Sequence, residues 1–273
     1  GCIPSKALLY ATHSLSIAKE SEHRGITCHM PNVELAKLRN LKDAVIMKLS
    51  GGVAQLAKMR GVEVWAGRGY FEDSTTLRVE TEEGQKFINF EQAIVAVGSK
   101  SALPKAWDLG NPRIMTSREA LEVEEIPENL LVIGGGYIGM ELGTVYATLG
   151  SKIVLVEALD GILLGADPDL ARPIVAYAKK HFKEVRLKTK VGKMSTVGKQ
   201  IKVEMEVEGQ KKEELYDRVL VAVGRVPNCE NIGLENTKVT RDERGFIKIN
   251  EKQQTEDPAI YAIGDVAGGV MLA

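Results

Sequence analysis

The sequence predicts an α/β chain built around a parallel, doubly wound sheet, and three observations carry that reading. From residue 130 onward, short apolar runs alternate with helix-periodic segments in the strand–helix–strand–helix order that parallel sheets adopt. A glycine cluster, Gly134-Gly135-Gly136-Tyr137-Ile138-Gly139, sits where the first of these strands gives way to a helix. The composition, 44% apolar and 27% charged over 273 residues, is that of a globular chain long enough for two domains.

Taken in order, the first element is a helix. Ala7, Leu8, Leu9, Ala11 and Leu15 follow Cys2 at helical spacing, which puts Cys2 at a helix N-terminus, where the dipole and unpaired N–H groups favour thiolate over thiol. Between residues 32 and 60, Val33, Leu35, Leu38, Leu41, Val45, Leu49, Val53 and Leu56 recur at mostly three- and four-residue steps, predicting a long amphipathic helix interrupted near Gly51-Gly52. Alternating segments at 62–65, 76–80 and 86–90 predict a small antiparallel meander, and residues 93–99 a buried strand running into a glycine turn. Pro104, Gly110, Pro112 and Pro127 break the periodicity and predict a boundary between 101 and 128. Beyond it come a strand at 130–133, a helix at 137–149, a strand at 152–157 and a helix at 168–181, then strands at 185–187, 201–207 and 218–223. The lysine-rich stretch 179–193 reads as a solvated helix edge and loop. A last segment from about residue 232 carries strands near 246–249 and 260–263 and closes on Gly264-Asp265.

Charge and cysteine usage exclude several classes. A net charge of -1 gives no basic excess for nucleic acid. No apolar run reaches the roughly 18–20 residues of a membrane span, and no signal-peptide pattern opens the chain. Cys2, Cys28 and Cys229 are too widely and irregularly spaced for a disulfide scaffold or a zinc site, which suits a reducing compartment; Cys28 and Cys229 read as structural or incidental. His13, His23, His29 and His181 show no metal-ligand spacing, and no metal is expected.

The glycine cluster fits GxGxxG in the setting that gives the pattern meaning, after a strand and opening a helix, and points to a Rossmann-like dinucleotide site. Gly134 makes the tight turn, Gly136 lets backbone approach a pyrophosphate at the helix N-terminus, and Gly139 permits close helix–strand packing. Glu157 ends the next strand, 18 residues after Gly139, where a carboxylate accepts hydrogen bonds from an adenosine ribose and repels a 2′-phosphate. The chain continues Ala158-Leu159-Asp160 with no arginine, so NAD is favoured over NADP.

Four motifs in order, Gly1-Cys2-Ile3-Pro4-Ser5-Lys6, the glycine cluster, Gly224-Arg225-Val226-Pro227-Asn228 and the run from Thr255 to Asp265, resemble those of the pyridine nucleotide-disulfide oxidoreductases, flavoenzymes whose redox motif ends in GCIPSK. The resemblance covers essentially the whole chain. It implies a Rossmann-like NAD-binding domain at 116–240 inserted in the remainder of an FAD-binding domain, with a partial FAD domain and the redox-cysteine helix at 1–115 and a return segment at 241–273. FAD and NAD are the implied cofactors. By resemblance, Cys2 is the flavin-proximal thiol, and its partner cysteine, five residues earlier, falls before Gly1. Lys6 and Glu141 match positions that pair beside flavin N5, where a cation stabilises charge on the reduced ring. Tyr137 and Ile138 join the glycines as nucleotide contacts. Gly98 and Ser99 end the strand that in the family reads ATG, with Val97 where threonine is usual. Val223 and Gly224 lie toward the nicotinamide, and Gly264 and Asp265 toward the flavin ribityl chain. Arg225 is either a cofactor contact or a domain-interface ion pair.

Within the family, Ala7-Leu8-Leu9, the run from Gly139 to Gly143 and Arg225-Val226-Pro227-Asn228 are most similar to the branch that reoxidises dihydrolipoamide on an acyltransferase arm and reduces NAD. That branch implies as partners a lipoyl domain, the acyltransferase core of a 2-oxo acid dehydrogenase complex and a second copy in a homodimer. Bacterial cytoplasm is the expected location, with the mitochondrial matrix open. The similarity is to a middle piece: an N-terminal FAD fingerprint and a C-terminal dimerisation domain have no counterpart in these residues, so the chain alone is expected to be catalytically incomplete. A mercuric or glutathione-type disulfide reductase and a non-catalytic NAD-binding module stay open as alternatives.

Overall fold

The computed structural model describes residues 1–27, 32–207 and 209–272, and it opens with a helix, α1 (Cys2–Ser21), whose first residue is the cysteine. Ser5, Leu8 and Thr12 form its buried face, spaced three and four apart. The second helix, α2 (Leu35–Met59), runs unbroken through Gly51-Gly52, contrary to the expected interruption. Two helical glycines cost about 1 kcal/mol each relative to alanine, but Ala54, Leu56, Ala57 and Lys58 beyond them are strong helix formers. Its amphipathic pattern is not spent on burial, since Leu41, Met47, Leu49, Val53 and Leu56 are at least half exposed. The buried residue of α2 is instead Lys42, only 3% exposed and paired with Glu122 at 2.9 Å and Asp43 at 3.3 Å.

Three strands, β1 (Arg68–Phe71), β2 (Thr76–Thr81) and β3 (Gly84–Asn89), make the antiparallel meander. Its first strand lies at 68–71 and not at 62–65, which is irregular with Val62 and Val64 exposed. Phe71 explains the shift, because it is buried, meets Phe90 edge-on at 5.9 Å, and donates its N–H to the Ile232 carbonyl. Next come β4 (Ala93–Val95), a turn at Gly98, β5 (Ser99–Ser101), β6 (Ile114–Met115) and α3 (Ser117–Ala120), the last held by a Thr116–Glu119 capping box. The expected βα alternation follows as β7 (Asn129–Ile133), α4 (Tyr137–Leu149), β8 (Lys152–Val156) and α5 (Pro168–His181). Then β9 (Glu184–Arg186), β10 (Thr189–Val197), β11 (Gln200–Val207), β12 (Gln210–Tyr216), β13 (Arg218–Val221), β14 (Arg225–Pro227) and β15 (Ile260–Ala262) complete the order. The stretch 179–193 is therefore strand over much of its length, in β9 and the start of β10. Residues 246–249 form no strand; Phe246 and Ile247 are buried, and Ile247 makes only an isolated bridge to Arg241. Cys28 and His29 lie outside the described residues.

The chain divides into two compact units. The first, Gly1–Ser50 with Ser101–Gly224, is built on a five-stranded parallel sheet in the order β6-β13-β7-β8-β9. Successive residues of its central strand go to opposite faces. Leu130 and Val132 pack with Leu8, Met140, Leu142, Tyr146 and Phe182 from the helices, whereas Leu131 and Ile133 pack with Met194, Ile201, Val203 and Met205 from the antiparallel sheet β10-β11-β12. Cover on both faces is why these strands read as unbroken apolar runs. The second unit, Gly51–Lys100 with Arg225–Ala273, carries the meander, the parallel pair β4–β15 and a core of Phe71, Val95, Ile247, Ile260, Ala262 and Val266. Compactness thus puts the changeovers at Ser101 and Gly224, where cofactor assignment put them near 115 and 240.

Tyr146 ties α4 to the end of α3, its hydroxyl donating to the Ala120 carbonyl at 2.9 Å with 1% of the residue exposed. Tyr146→Phe is expected to cost about 1 kcal/mol in urea unfolding. Burial pushes the phenol up to about 12 from 10.0, so the folded chain keeps a proton that the unfolded chain releases between those values. Stability is therefore complete below pH 10 and falls as pH rises through that window, by up to about 1.4 kcal/mol per pH unit for this group. Tyr146→Phe flattens the fall but does not abolish it, because burial and the Glu214 hydrogen bond also raise Tyr216.

Candidate functional site

In the first unit the sheet's topology gathers the expected nucleotide residues at one edge. Gly134 follows β7, Glu157 follows β8, and Val223-Gly224 follow β13, so all stand at the carboxyl ends of three adjacent parallel strands, where open α/β sheets bind their ligands. Gly134 has φ +107°, and a Cβ on it would lie 2.3 Å from the Ala222 carbonyl oxygen, so no other residue fits. Gly139 is equally constrained, because its Cβ would come within 2.0 Å of the Gly134 oxygen. Gly136, the N-cap of α4, is different: it is exposed, and a Cβ there meets nothing within 4 Å. An added methyl would project into open space, with the N-terminal end of a 13-residue helix behind it, which is the arrangement that receives a phosphate. Gly224 is likewise open, with φ +131° and no neighbour within 4 Å of an added methyl, and Val223 before it is 42% exposed. Tyr137 and Ile138 open α4 half-buried.

Glu157, the expected ribose acceptor, also makes hydrogen bonds of its own, one of them to the glycine turn. Its Oε2 accepts the Gly135 N–H at 2.6 Å and its Oε1 the Leu159 N–H at 2.9 Å, while Leu163 donates to the Gly135 carbonyl at 3.0 Å. The peptide of Gly135 is thus gripped from both sides by the segment that follows β8. No side-chain pattern announces this link, since the donors are backbone groups.

The helix expected to carry the redox cysteine belongs to the same unit. Cys2 is the first residue of α1 and half-buried, and α1 lies along α4. Lys6, one turn beyond Cys2, meets Glu141 of α4 at 2.5 Å, so the two charges expected to pair do so. Lys6 is 58% exposed and Glu141 25%, and a pair that open contributes about 0–1 kcal/mol to stability.

In the second unit Gly98 and Gly264 have φ +70° and +72°, and nothing lies within 4 Å of a Cβ on either. Between them the Ser99 hydroxyl donates to Asp265 Oδ2. Arg225 donates from Nε to Ser99 Oγ at 2.6 Å and from Nη2 to the Ser99 carbonyl at 2.7 Å, and its Nε stands 3.6 Å from Asp265 Oδ2. Arg225 thus forms an ion pair within this unit, with Asp265 as its partner, and not one between domains. Two open glycines flanking a partly buried carboxylate fit a polyhydroxylated ligand, as a flavin's ribityl chain is.

Other titratable groups stand apart from these clusters. No group of His, Cys, Asp and Glu among the described residues suits a metal. His13 and His23 are exposed, and His181 stacks on Tyr177 at 4.1 Å, its imidazole held below its usual range by burial. Cys229 is buried, which pushes its thiol up and away from reactivity.

The family model of the pyridine nucleotide-disulphide oxidoreductases matches residues 1–273. The chain is similar to the dihydrolipoyl dehydrogenase of Vibrio parahaemolyticus, 42% identical over 276 residues that take in all of this chain and 58% of the relative. The dihydrolipoyl dehydrogenase of Bacillus subtilis is 39% identical over 275 residues, with the same shares. Among solved structures, LpdA of Mycobacterium tuberculosis superposes with a TM-score of 0.86 at 25% identity, over all of this chain and 59% of that one. The HOCl-induced flavoprotein disulfide reductase RclA of Escherichia coli, solved as a Cu(II) complex, gives 0.84 at 26%, over all of this chain and 57% of that one. The chain thus spans a little under three fifths of the length of these relatives.

The glycines make opposite predictions. Gly139→Ala drives a methyl into the Gly134 carbonyl and is expected to lower stability by about 2–3 kcal/mol or more. Gly136→Ala leaves stability within about 0.5 kcal/mol but fills the space of the ligand, weakening NAD binding by about tenfold or more. Urea unfolding and calorimetric titration of the two variants check both; an unaltered NAD affinity for Gly136→Ala would refute the site.

Proposed function

The chain belongs to the pyridine nucleotide-disulphide oxidoreductase family, and from that premise we propose that the whole protein is a dihydrolipoyl dehydrogenase, which oxidises protein-bound dihydrolipoamide and reduces NAD. The observation that carries this reading is the sharing of one unit by a helix-initial cysteine, the Lys6–Glu141 pair and the glycine crevice at the strand ends. The names of the relatives at 39–42% identity support the substrate.

The family uses FAD and NAD, and flavin, when bound, relays two electrons between a thiol pair and the nicotinamide. The residues of this chain supply the rest. Cys2, the first residue of α1, is the reactive thiol. Lys6 presents a cation to the negative charge that develops during reduction, and Glu141 keeps it from swinging into solvent. Gly136 and the first amides of α4 take the nucleotide's pyrophosphate. Glu157 accepts from the adenosine ribose and excludes a 2′-phosphate. Gly98, Ser99, Gly264 and Asp265 hold the flavin's ribityl side, and Val223 and Gly224 border the nicotinamide. In cofactor terms the chain is an NAD domain at 116–240 set within FAD-domain segments. The partners are a lipoyl domain, the acyltransferase core of a 2-oxo acid dehydrogenase complex and a second copy of the protein. Among the described residues no helix is long and apolar enough to cross a membrane, and the relatives named above are bacterial, which supports a place in the bacterial cytoplasm.

The test is dihydrolipoamide-dependent reduction of NAD by the full-length protein, followed at the absorbance of NADH. Cys2→Ser is expected to reduce turnover to background, and unchanged turnover in that variant would sink the assignment. Glu157→Ala is expected to erode the preference for NAD over NADP by about tenfold to a hundredfold, the loss of hydrogen bonds to one charged acceptor. A preference that stays intact would remove Glu157 from the ribose site.

A further inference from the structure

We propose that Arg225 is a positioning residue for the flavin side of the protein, acting through Ser99 to set the orientation of Asp265. The inference rests on the assignment of Asp265 to the flavin. Arg225, Ser99 and Asp265 come from segments up to 166 residues apart, yet they form one directed chain of hydrogen bonds within the second unit.

The direction follows from counting protons. Arginine only donates, a carboxylate only accepts, and a serine hydroxyl has a single proton. Because Ser99 Oγ accepts from Arg225 Nε at 2.6 Å, its proton is given to Asp265. A second donor of the same guanidinium, Nη2, bonds the Ser99 carbonyl at 2.7 Å. Two donors of a rigid planar fork on the hydroxyl and carbonyl of one residue fix both its rotamer and its peptide, which a lysine's point charge does not do. Arg225 itself stands 3.6 Å from the carboxylate, too far for a hydrogen bond but near enough for attraction, with both side chains less than a quarter exposed.

One carboxylate oxygen, Oδ2, is committed to this chain. Oδ1 accepts no hydrogen bond among the described residues, and Gly264 beside it and Gly98 beside Ser99 leave open space. The arrangement therefore presents one oriented acceptor to a ligand hydroxyl, and what orients it is the arginine of the Gly224-Arg225-Val226-Pro227-Asn228 run. A direct contact between Arg225 and the nucleotide is not required for this role, since the two donors that act on Ser99, Nε and Nη2, are enough to orient it.

The experiment is titration of FAD into the full-length protein stripped of flavin, read by quenching of flavin fluorescence, with far-UV circular dichroism of each apo variant as a check on folding. Arg225→Ala, Ser99→Ala and Asp265→Ala are each expected to raise the Kd for FAD by about tenfold. In the Asp265→Ala background, Arg225→Ala is expected to add less than about twofold, because the residue it orients has gone. Ser99→Thr, which keeps the hydroxyl, is expected to bind nearly as the parent does, whereas Arg225→Lys, which keeps only the charge, is not. Additive effects in the double variant, or full rescue by Arg225→Lys, would overturn the positioning role while leaving the flavin assignment intact. An unchanged Kd in Asp265→Ala would instead overturn the assignment itself. Should Arg225→Ala not fold, the same cycle between Ser99→Ala and Asp265→Ala decides the matter, additivity again counting against the proposal.

Discussion

The helical face of the first unit hangs on one contact between two glycines. Gly139, in the first turn of α4, presses so close to the carbonyl of Gly134 that a single added carbon would stand 2.0 Å from it. This pins the start of α4 to the end of β7, and α4 then carries most of what the unit needs. Glu141 projects from it to Lys6, Tyr146 reaches the end of α3, and Gly143 leaves room for the ring of Phe182, whose edge would be 2.9 Å from a methyl there. Moving the helix outward by the width of a methyl would unseat the redox helix and the nucleotide turn together. A site made of backbone amides demands this rigidity, because amides have no rotamers with which to adjust.

Where the sequence was legible, local chemistry and tertiary context agreed. The helices 137–149 and 168–181 were readable to the residue because each carries its own punctuation, the left-handed Gly150 closing α4 and Pro168 opening α5. The central strands were readable because cover on both faces makes them continuously apolar. Strands β10 and β12 hid behind their lysines and glutamates: each lies in a sheet with one face in water, and the buried contributions, such as Thr189, Met194 and Tyr216, are too sparse to register. The meander began six residues late because the pull came from Phe71, whose partners at Phe90 and Ile232 are remote in the chain. The same divide runs through the site. The glycine pattern pointed to Gly134 and Gly139 and the family resemblance to Lys6 and Glu141, whereas the grip on Gly135 and the fork of Arg225 on Ser99 are properties of geometry alone.

The two units solve different binding problems with different groups. Under the proposed function, the first would offer a charged phosphate bridge a helix end and a glycine turn. The second would offer hydroxyls a carboxylate beside two open glycines, with a guanidinium 3.6 Å from it. Under the proposed function these serve the relay and the final acceptor of one electron route, and the thiol that begins it lies in the unit assigned to the final acceptor.

The double engagement of Glu157 bears on how cofactor preference could change in this fold. A carboxylate that only met the ribose could be exchanged for a small neutral residue, with a cation added nearby, and the protein would accept a phosphorylated cofactor. Here the same carboxylate also satisfies the amides of Gly135 and Leu159. Under the proposed ribose role, its removal would strip two backbone donors of their acceptor at the moment the specificity is altered. A lineage or a designer changing the preference must therefore supply a new acceptor for the glycine loop first, which makes the switch a path of at least two ordered steps.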